Sequence, residues 1–155
     1  MAQSLITLKI VSIAPNRAPM HLLLEADPSV EKVKRYLQKS HCFIAKIGAE
    51  VIGVYVLQPI TEDRLELMNI AVDPKRQGQG IGKQLLEHAI TSAKQLNARR
   101  LELGTGTFGY QLAFYQRAGF RVDSIDKDFF LKNYAAPIFE MGIQHKDMLR
   151  LAIDL

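Results

Sequence analysis

Asn69-Ile70-Ala71-Val72-Asp73-Pro74-Lys75-Arg76-Gln77-Gly78-Gln79-Gly80-Ile81-Gly82-Lys83 is the stretch on which the reading of this 155-residue chain turns. Its first residues complete an alternating apolar run, Arg64 to Val72, with the two-residue period of a strand that Pro74 ends. After Gly80, the residues Ile81, Leu85, Leu86, Ala89, Ile90, Ala93 and Leu96 recur at the spacing of an amphipathic helix. Three glycines therefore stand between a strand and a helix. They are poor helix formers, each up to ~1 kcal/mol less favourable than alanine. At a helix start, however, they let backbone N–H groups approach an anion. A tight turn without a ligand is the alternative.

Two phosphate loops do not fit. A Walker A loop needs glycine where Gln77 stands and Ser or Thr where Gln84 follows Lys83. The dinucleotide pattern G-x-G-x-x-G meets Lys83 or Leu85 at its third glycine.

Outward from the turn, strands and helices alternate. Leu5 to Val11 reads as a first strand, Met20 to Ala26 as a short helix, and Asp27-Pro28 as the N-cap and first turn of a helix through Leu37. Cys42 to Ile47 and Val51 to Leu57 form a hairpin about Gly48-Ala49-Glu50. Downstream, Arg99 to Leu103 predicts a fifth strand, Gln111 to Ala118 a helix stopped by Gly119, Phe120-Arg121-Val122 a sixth strand and Met148 to Ile153 a last one. Between Asp123 and Met148 the periodicity is weak. The order predicts one α/β domain over residues 1–155 with a mixed sheet.

Composition narrows the class. With 48% hydrophobic and 23% charged residues the chain has enough apolar content for one core. The net charge of +4 and pI near 9.2 favour anionic partners, but basic residues never exceed two in a row, so a nucleic-acid tail is unsupported. The longest apolar run, Val51 to Leu57, has seven residues against the ~18 of a membrane span, and Met1-Ala2-Gln3-Ser4 lacks a signal-peptide pattern. One cysteine, Cys42, forms no internal disulfide and lies in an apolar strand as core, which fits a reducing cytoplasmic setting. His21, His41, His88 and His145 show no metal-ligand spacing.

Gln77, Gly80 and Gly82 match Q/R-x-x-G-x-G/A, and the stretch resembles the pyrophosphate loop of the GNAT superfamily of acyl-CoA-dependent N-acyltransferases. Asn69 to Pro74 is similar to that family's fourth strand, and Phe114-Tyr115-Gln116-Arg117-Ala118-Gly119-Phe120 to its second signature, a tyrosine four residues before Gly-Phe. The likeness covers Val51 to Val122. It implies a mixed, mostly antiparallel central sheet, splayed between strands 4 and 5 and flanked by helices. It further implies acetyl-CoA as co-substrate. Backbone amides of Gln77, Gly78, Gln79, Gly80, Ile81 and Gly82 would hold its pyrophosphate, with Lys75, Arg76 and Lys83 as charge partners. The pantetheine arm would pair along Ile70, Ala71 and Val72. The family's asparagine after strand 5 is missing from Gly104-Thr105-Gly106-Thr107-Phe108, which passes that contact to Thr107.

Acyl transfer needs a neutral amine, and an amine of pKa ~10.4 costs roughly 4–5 kcal/mol to deprotonate at neutral pH. Glu66 is the candidate base, because strand alternation puts it on a face with Met68, Ile70 and Val72, where a charge is out of pattern. Pairing with Arg64, reaching solvent, or a relay through water are the alternatives, and a bulge would move it to the other face. The resemblance gives an N–H near Ile70 to the developing oxyanion. Tyr115 stands where the family has a general acid at the departing thiolate, packing being its alternative role and Tyr110 a weaker substitute.

The acceptor is expected to be a small-molecule amine. Nine of the twelve aromatic residues lie at or after Phe108, and Phe129, Phe130, Tyr134 and Phe139 accompany Asp123, Asp126, Asp128 and Glu140, which would suit a cationic amine or else line a homodimer interface. No residue is placed to carry the acyl group covalently, so direct attack in a ternary complex is expected. A non-catalytic acyl-CoA sensor or protein-interaction module on the same fold is the alternative.

Overall fold

The computed structural model describes residues 7–155. Strand β1 (Leu8–Ile13) overlaps the expected first strand from Leu8 to Val11 and runs two residues past it, while Leu5 and Ile6 lie outside the described residues. Helices α1 (Met20–Ala26) and α2 (Val30–Leu37) follow. The N-cap of α2 is Ser29, whose hydroxyl accepts from Lys32 N at 3.3 Å, and not Asp27. Asp27 instead accepts from Ser29 N at 3.1 Å, a short Asx-type turn around Pro28 that delays the helix by two residues.

The hairpin of β2 (His41–Ile47) and β3 (Glu50–Thr61) turns at Gly48, whose φ of +60° glycine adopts without strain. β3 outruns its expected end because Gln58 to Thr61 pair with the start of β4 (Arg64–Val72), where Pro59 falls at an irregular register. After the glycine turn comes α3 (Ile81–Gln95), then β5 (Arg100–Gly106), α4 (Tyr110–Arg117) and β6 (Arg121–Asp126). The weakly periodic segment holds α5 (Phe129–Asn133) and a two-residue hairpin, β7 (Phe139–Glu140) with β8 (Ile143–Gln144), before β9 (Met148–Asp154). Elements this short leave no period to read.

Seven strands form one sheet in the order β1-β2-β3-β4-β5-β9-β6. All neighbours are antiparallel except β4 and β5, which pair in parallel only from Arg64↔Arg100 to Glu66↔Glu102. Beyond that point the two strands diverge, the expected splay. One core lies between the sheet and α3–α4, where Leu85, Leu86, Ala89 and Phe120 pack on Tyr55, Leu101 and Leu151. The other lies under α1–α2, where Leu22, Leu23 and Val33 pack on Ile44, Val54 and Val56. The expected core cysteine, Cys42, is 1% exposed there, and burial pushes its thiol up to about 11.

Candidate functional site

The divergence of β4 from β5 creates the first feature of the site. A strand edge normally finds hydrogen-bond partners, and β4 past Glu66 lacks them on the β5 side. That edge opens into a cavity of about 320 Å³. Its walls are Ile70, Ala71 and Val72 on β4, the turn residues Arg76, Gln77, Gly78, Gly80, Ile81 and Gly82, and Tyr110, Gln111, Phe114 and Tyr115 on α4, with Glu25 and Ala26 at the end of α1.

Gly78 and Gly80 have φ of +79° and +78°, so each is held in a region that an L side chain enters only under strain. A Cβ built on either meets nothing within 4 Å, which leaves their main chain facing open space at the N-terminus of α3. Gly82 is helical, and a Cβ there would touch Phe114 at 3.7 Å and Val72 at 3.8 Å, ordinary contact. This cradle, lined by main chain at a helix start, fits a diphosphate. Arg76 also donates to Glu50 at 2.8 Å, which ties the turn to β3. Gln79 and Lys83, expected beside the coenzyme, are exposed and outside the cavity lining, as is Thr107 just past β5.

Tyr115 lines the same cavity while only 9% exposed, packed on Phe114 and Phe120 with ring centroids 5.3 and 6.0 Å away. Burial, helped by Tyr110, pushes its phenol above the ordinary range, so it stays protonated and able to donate.

Glu66 is not on the face expected of it. The register runs Val56↔Asn69 and then Leu57↔Leu67, so Met68 is an extra residue in β4. The bulge leaves Ile70 and Val72 against the α3 core but turns Met68 toward the α1–α2 core. Asn69 Nδ2 fixes the bulge by donating to Leu23 O and the Tyr36 hydroxyl, both at 2.9 Å. Glu66, also turned away from Ile70 and Val72, lines a second cavity with Met68.

Its partner is Arg150, not Arg64. The guanidinium donates Nη1 to Oε2 at 3.1 Å and Nη2 to Oε1 at 3.0 Å, a bidentate pair. Glu102, the β5 residue in register with Glu66, lies 3.8 Å from Arg150 and bonds Arg64. Burial works against the charge on Arg150, but Glu66, Glu102 and Asp126 outweigh it and push its pKa up. The fork of the splay is therefore pinned by one guanidinium between two carboxylates.

The second cavity measures about 490 Å³ and is lined on β4 by Glu66, Leu67 and Met68, where the first takes Ile70, Ala71 and Val72 of the same strand. Lys32, Arg35, Tyr36 and Lys39 approach it from α2 and the residues after it, Phe129 and Tyr134 from α5 and its C-cap, and Met148 and Arg150 from β9, with Asp27, Gln58 and Gly104 completing much of the rim. Lys32 Nζ lies over the rings of Phe129 and Tyr134, 5.5 and 4.8 Å from their centroids. The carboxylates expected to receive a cationic amine lie elsewhere. Asp123 pairs with Arg100 at 3.1 Å, Asp126 is exposed on β6, Asp128 starts α5, and Glu140 bonds His145 at 3.0 Å. Phe130 and Phe139 are likewise outside the lining. His145 is buried, stacked on Phe108 at 4.3 Å, and lines neither cavity.

The basic rim and Arg150 were missed in the sequence. Two signals were present: Lys32, Arg35, Tyr36 and Lys39 keep helical spacing, and Arg150 interrupts the apolar strand Met148–Asp154 as Glu66 interrupts β4. Among the described residues, no group of three or more His, Cys, Asp or Glu is placed to hold a metal ion, and no helix is long and apolar enough to cross a membrane.

Comparisons with known proteins give the family and the fold. Residues 13–120 match the Acetyltransferase (GNAT) family. An N-acetyltransferase of Bacillus subtilis, YvbK, itself uncharacterised, is 49% identical over 135 residues, 86% of this chain and 87% of that protein. The solved structure of an IAA acetyltransferase from Bacillus cereus superposes with a TM-score of 0.92 at 47% identity, covering 96% of this chain and 100% of the other. A GNAT family acetyltransferase from Elizabethkingia anophelis, solved with acetyl-CoA bound, gives 0.92 at 43% identity over 96% and 98% of the two chains.

Proposed function

Because the chain belongs to the Acetyltransferase (GNAT) family, we propose that it moves an acetyl group from acetyl-CoA to the amine of a small molecule, as one catalytic domain, by direct attack with both substrates bound. The observation that carries this reading is that the glycine cradle and the buried phenol of Tyr115 line one cavity, beside an unpaired strand edge. Acetyl-CoA bound there supplies an acetyl thioester.

The chain's own residues divide the rest of the work. Main-chain N–H groups of residues 77–82 hold the diphosphate, and the free edge at Ile70, Ala71 and Val72 pairs with the pantetheine amides as another strand would. An N–H near Ile70 faces the charge that develops on the acetyl oxygen. Tyr115, kept protonated by burial, donates to the departing sulfur. The amine enters from the second cavity, and Glu66 receives its proton through water: each of its oxygens accepts one bond from Arg150 and keeps a second lone pair to which a water can donate.

Tyr115→Phe tests the reading. It keeps the packing and removes the donor, so kcat should fall about 10²-fold while coenzyme affinity by calorimetry stays within about twofold. Turnover equal to the parent's would remove Tyr115 from the chemistry. Absence of any heat with millimolar coenzyme A would remove the transferase reading altogether, and coenzyme binding without thiol release on any amine would favour a sensor.

A further inference from the structure

The second cavity carries more positive charge than its own carboxylates use. Four basic side chains line it, Lys32, Arg35, Lys39 and Arg150, against two acids, Asp27 and Glu66. Both acids are already engaged: Asp27 accepts from the Tyr134 hydroxyl at 3.0 Å and from Ser29 N, and Glu66 takes both donors of Arg150. Among the described residues, Lys32, Arg35 and Lys39 have no carboxylate within 4.0 Å. Three cations, two on α2 and one just past its end, thus face a cavity whose anions are spoken for. Lys32 is also held over two aromatic rings, which fixes its ammonium at the rim.

From this juxtaposition we infer that the acceptor is a small amine that also carries a carboxylate, and that Lys32, Arg35 and Lys39 bind that carboxylate while the amine points toward β4. The inference rests on the acetyltransferase reading above and adds the acceptor's chemical class. The volume, about 490 Å³, lies in the range of small-molecule sites. Phe129 and Tyr134 supply apolar faces beside the cations. An excess of positive charge disfavours an ammonium and favours the free base. The same cations that hold the carboxylate therefore help make the nucleophile, and lessen the need for an unpaired base. A polyamine would meet repulsion from the three cations that have no carboxylate partner along this rim.

The test uses matched pairs that differ only in the carboxylate: tyrosine against tyramine and tryptophan against tryptamine, with spermidine as a polycation. Thiol release from acetyl-CoA is measured for each. Binding of N-acetyltyrosine and N-acetyltyramine to the coenzyme A complex is measured by calorimetry. The carboxylated member should show at least tenfold higher kcat/KM or tighter binding in each pair, an advantage that shrinks as salt rises from 50 to 500 mM. In Arg35→Gln/Lys39→Gln that advantage should fall about tenfold, with coenzyme A affinity reporting on the fold and the first cavity. Coenzyme binding with no preference within either pair, or with tyramine, tryptamine or spermidine preferred, overturns the anionic acceptor alone. Failure to bind coenzyme A overturns the acetyltransferase reading as well.

Discussion

Gly104→Ala adds one methyl group on β5 beyond the splay, where β9 pairs with it. Gly104 is the register partner of Arg150, and a Cβ on it would stand 2.3 Å from Met148 Sδ, 2.7 Å from Met148 Cε and 3.0 Å from Arg150 Nη1. Optimal separations between such atoms are about 3.5–4.0 Å, so Met148 must retreat by more than 1 Å. These atoms are the ends of flexible side chains that line the second cavity, so they can swing into it, and the cost of that shift is about offset by the ~0.5–1 kcal/mol that alanine gains over glycine within a strand. The net expectation is a stability within about 1 kcal/mol of the parent's, with the urea midpoint and m nearly unchanged, while the displaced Met148 and Arg150 ends reshape the second cavity. Because Met148 and Arg150 line the second cavity and not the first, the KM for the amine should rise more than that for acetyl-CoA. A Gly104→Ala protein whose KM for the amine equals the parent's, or one destabilised by several kcal/mol, would refute the argument that this glycine makes room for the pair.

Gly80→Val, at φ +78° with nothing within 4 Å of the added Cβ, should weaken coenzyme A binding at least tenfold and destabilise the fold by ~1–2 kcal/mol or more; coenzyme affinity unchanged by calorimetry would leave the cradle without a role. Burial lowers the pKa of His88, whose Nδ1 meets the Tyr55 hydroxyl at 2.7 Å. The folded state thus binds this proton less readily than the unfolded chain, so the stabilisation is complete above about pH 6.5 and is lost as pH falls toward the folded pKa. Between pH 7 and 5 the parent should lose Tm faster than His88→Gln, and parallel curves would contradict this. Cys42, buried with its thiol raised to about 11, should react with iodoacetamide at pH 8 at least 10²-fold more slowly in the native protein than in urea. Comparable rates would place the thiol at the surface.

Legibility in the sequence followed the range of the interaction involved. The α3 repeat, the Gly48 turn and the existence of strand β4 were readable because neighbouring residues set helix and strand periods, but the β4 alternation held only on either side of the bulge at Met68. Tyr115 and the glycine turn were readable from the motif each sits in. The α2 cap was misplaced by two residues because Asp27 and Ser29 both suit an N-cap, and the backbone around Pro28 decides between them. The run from Asp123 to Met148 held elements too short to leave a pattern.

What the sequence determined by itself was the order of elements outside the run from Asp123 to Met148, the mixed sheet, and the strand-glycine-helix junction whose main chain faces the first cavity. Only the tertiary structure decided the chemistry of the second. One extra residue at Met68 turned Glu66 away from Ile70 and Val72, and Arg150, 84 positions along the chain, claimed both of its oxygens. The charge of a cavity depends on which side chains find partners across space. A period in the sequence records which face a residue takes, but not which opposite charge will meet it there.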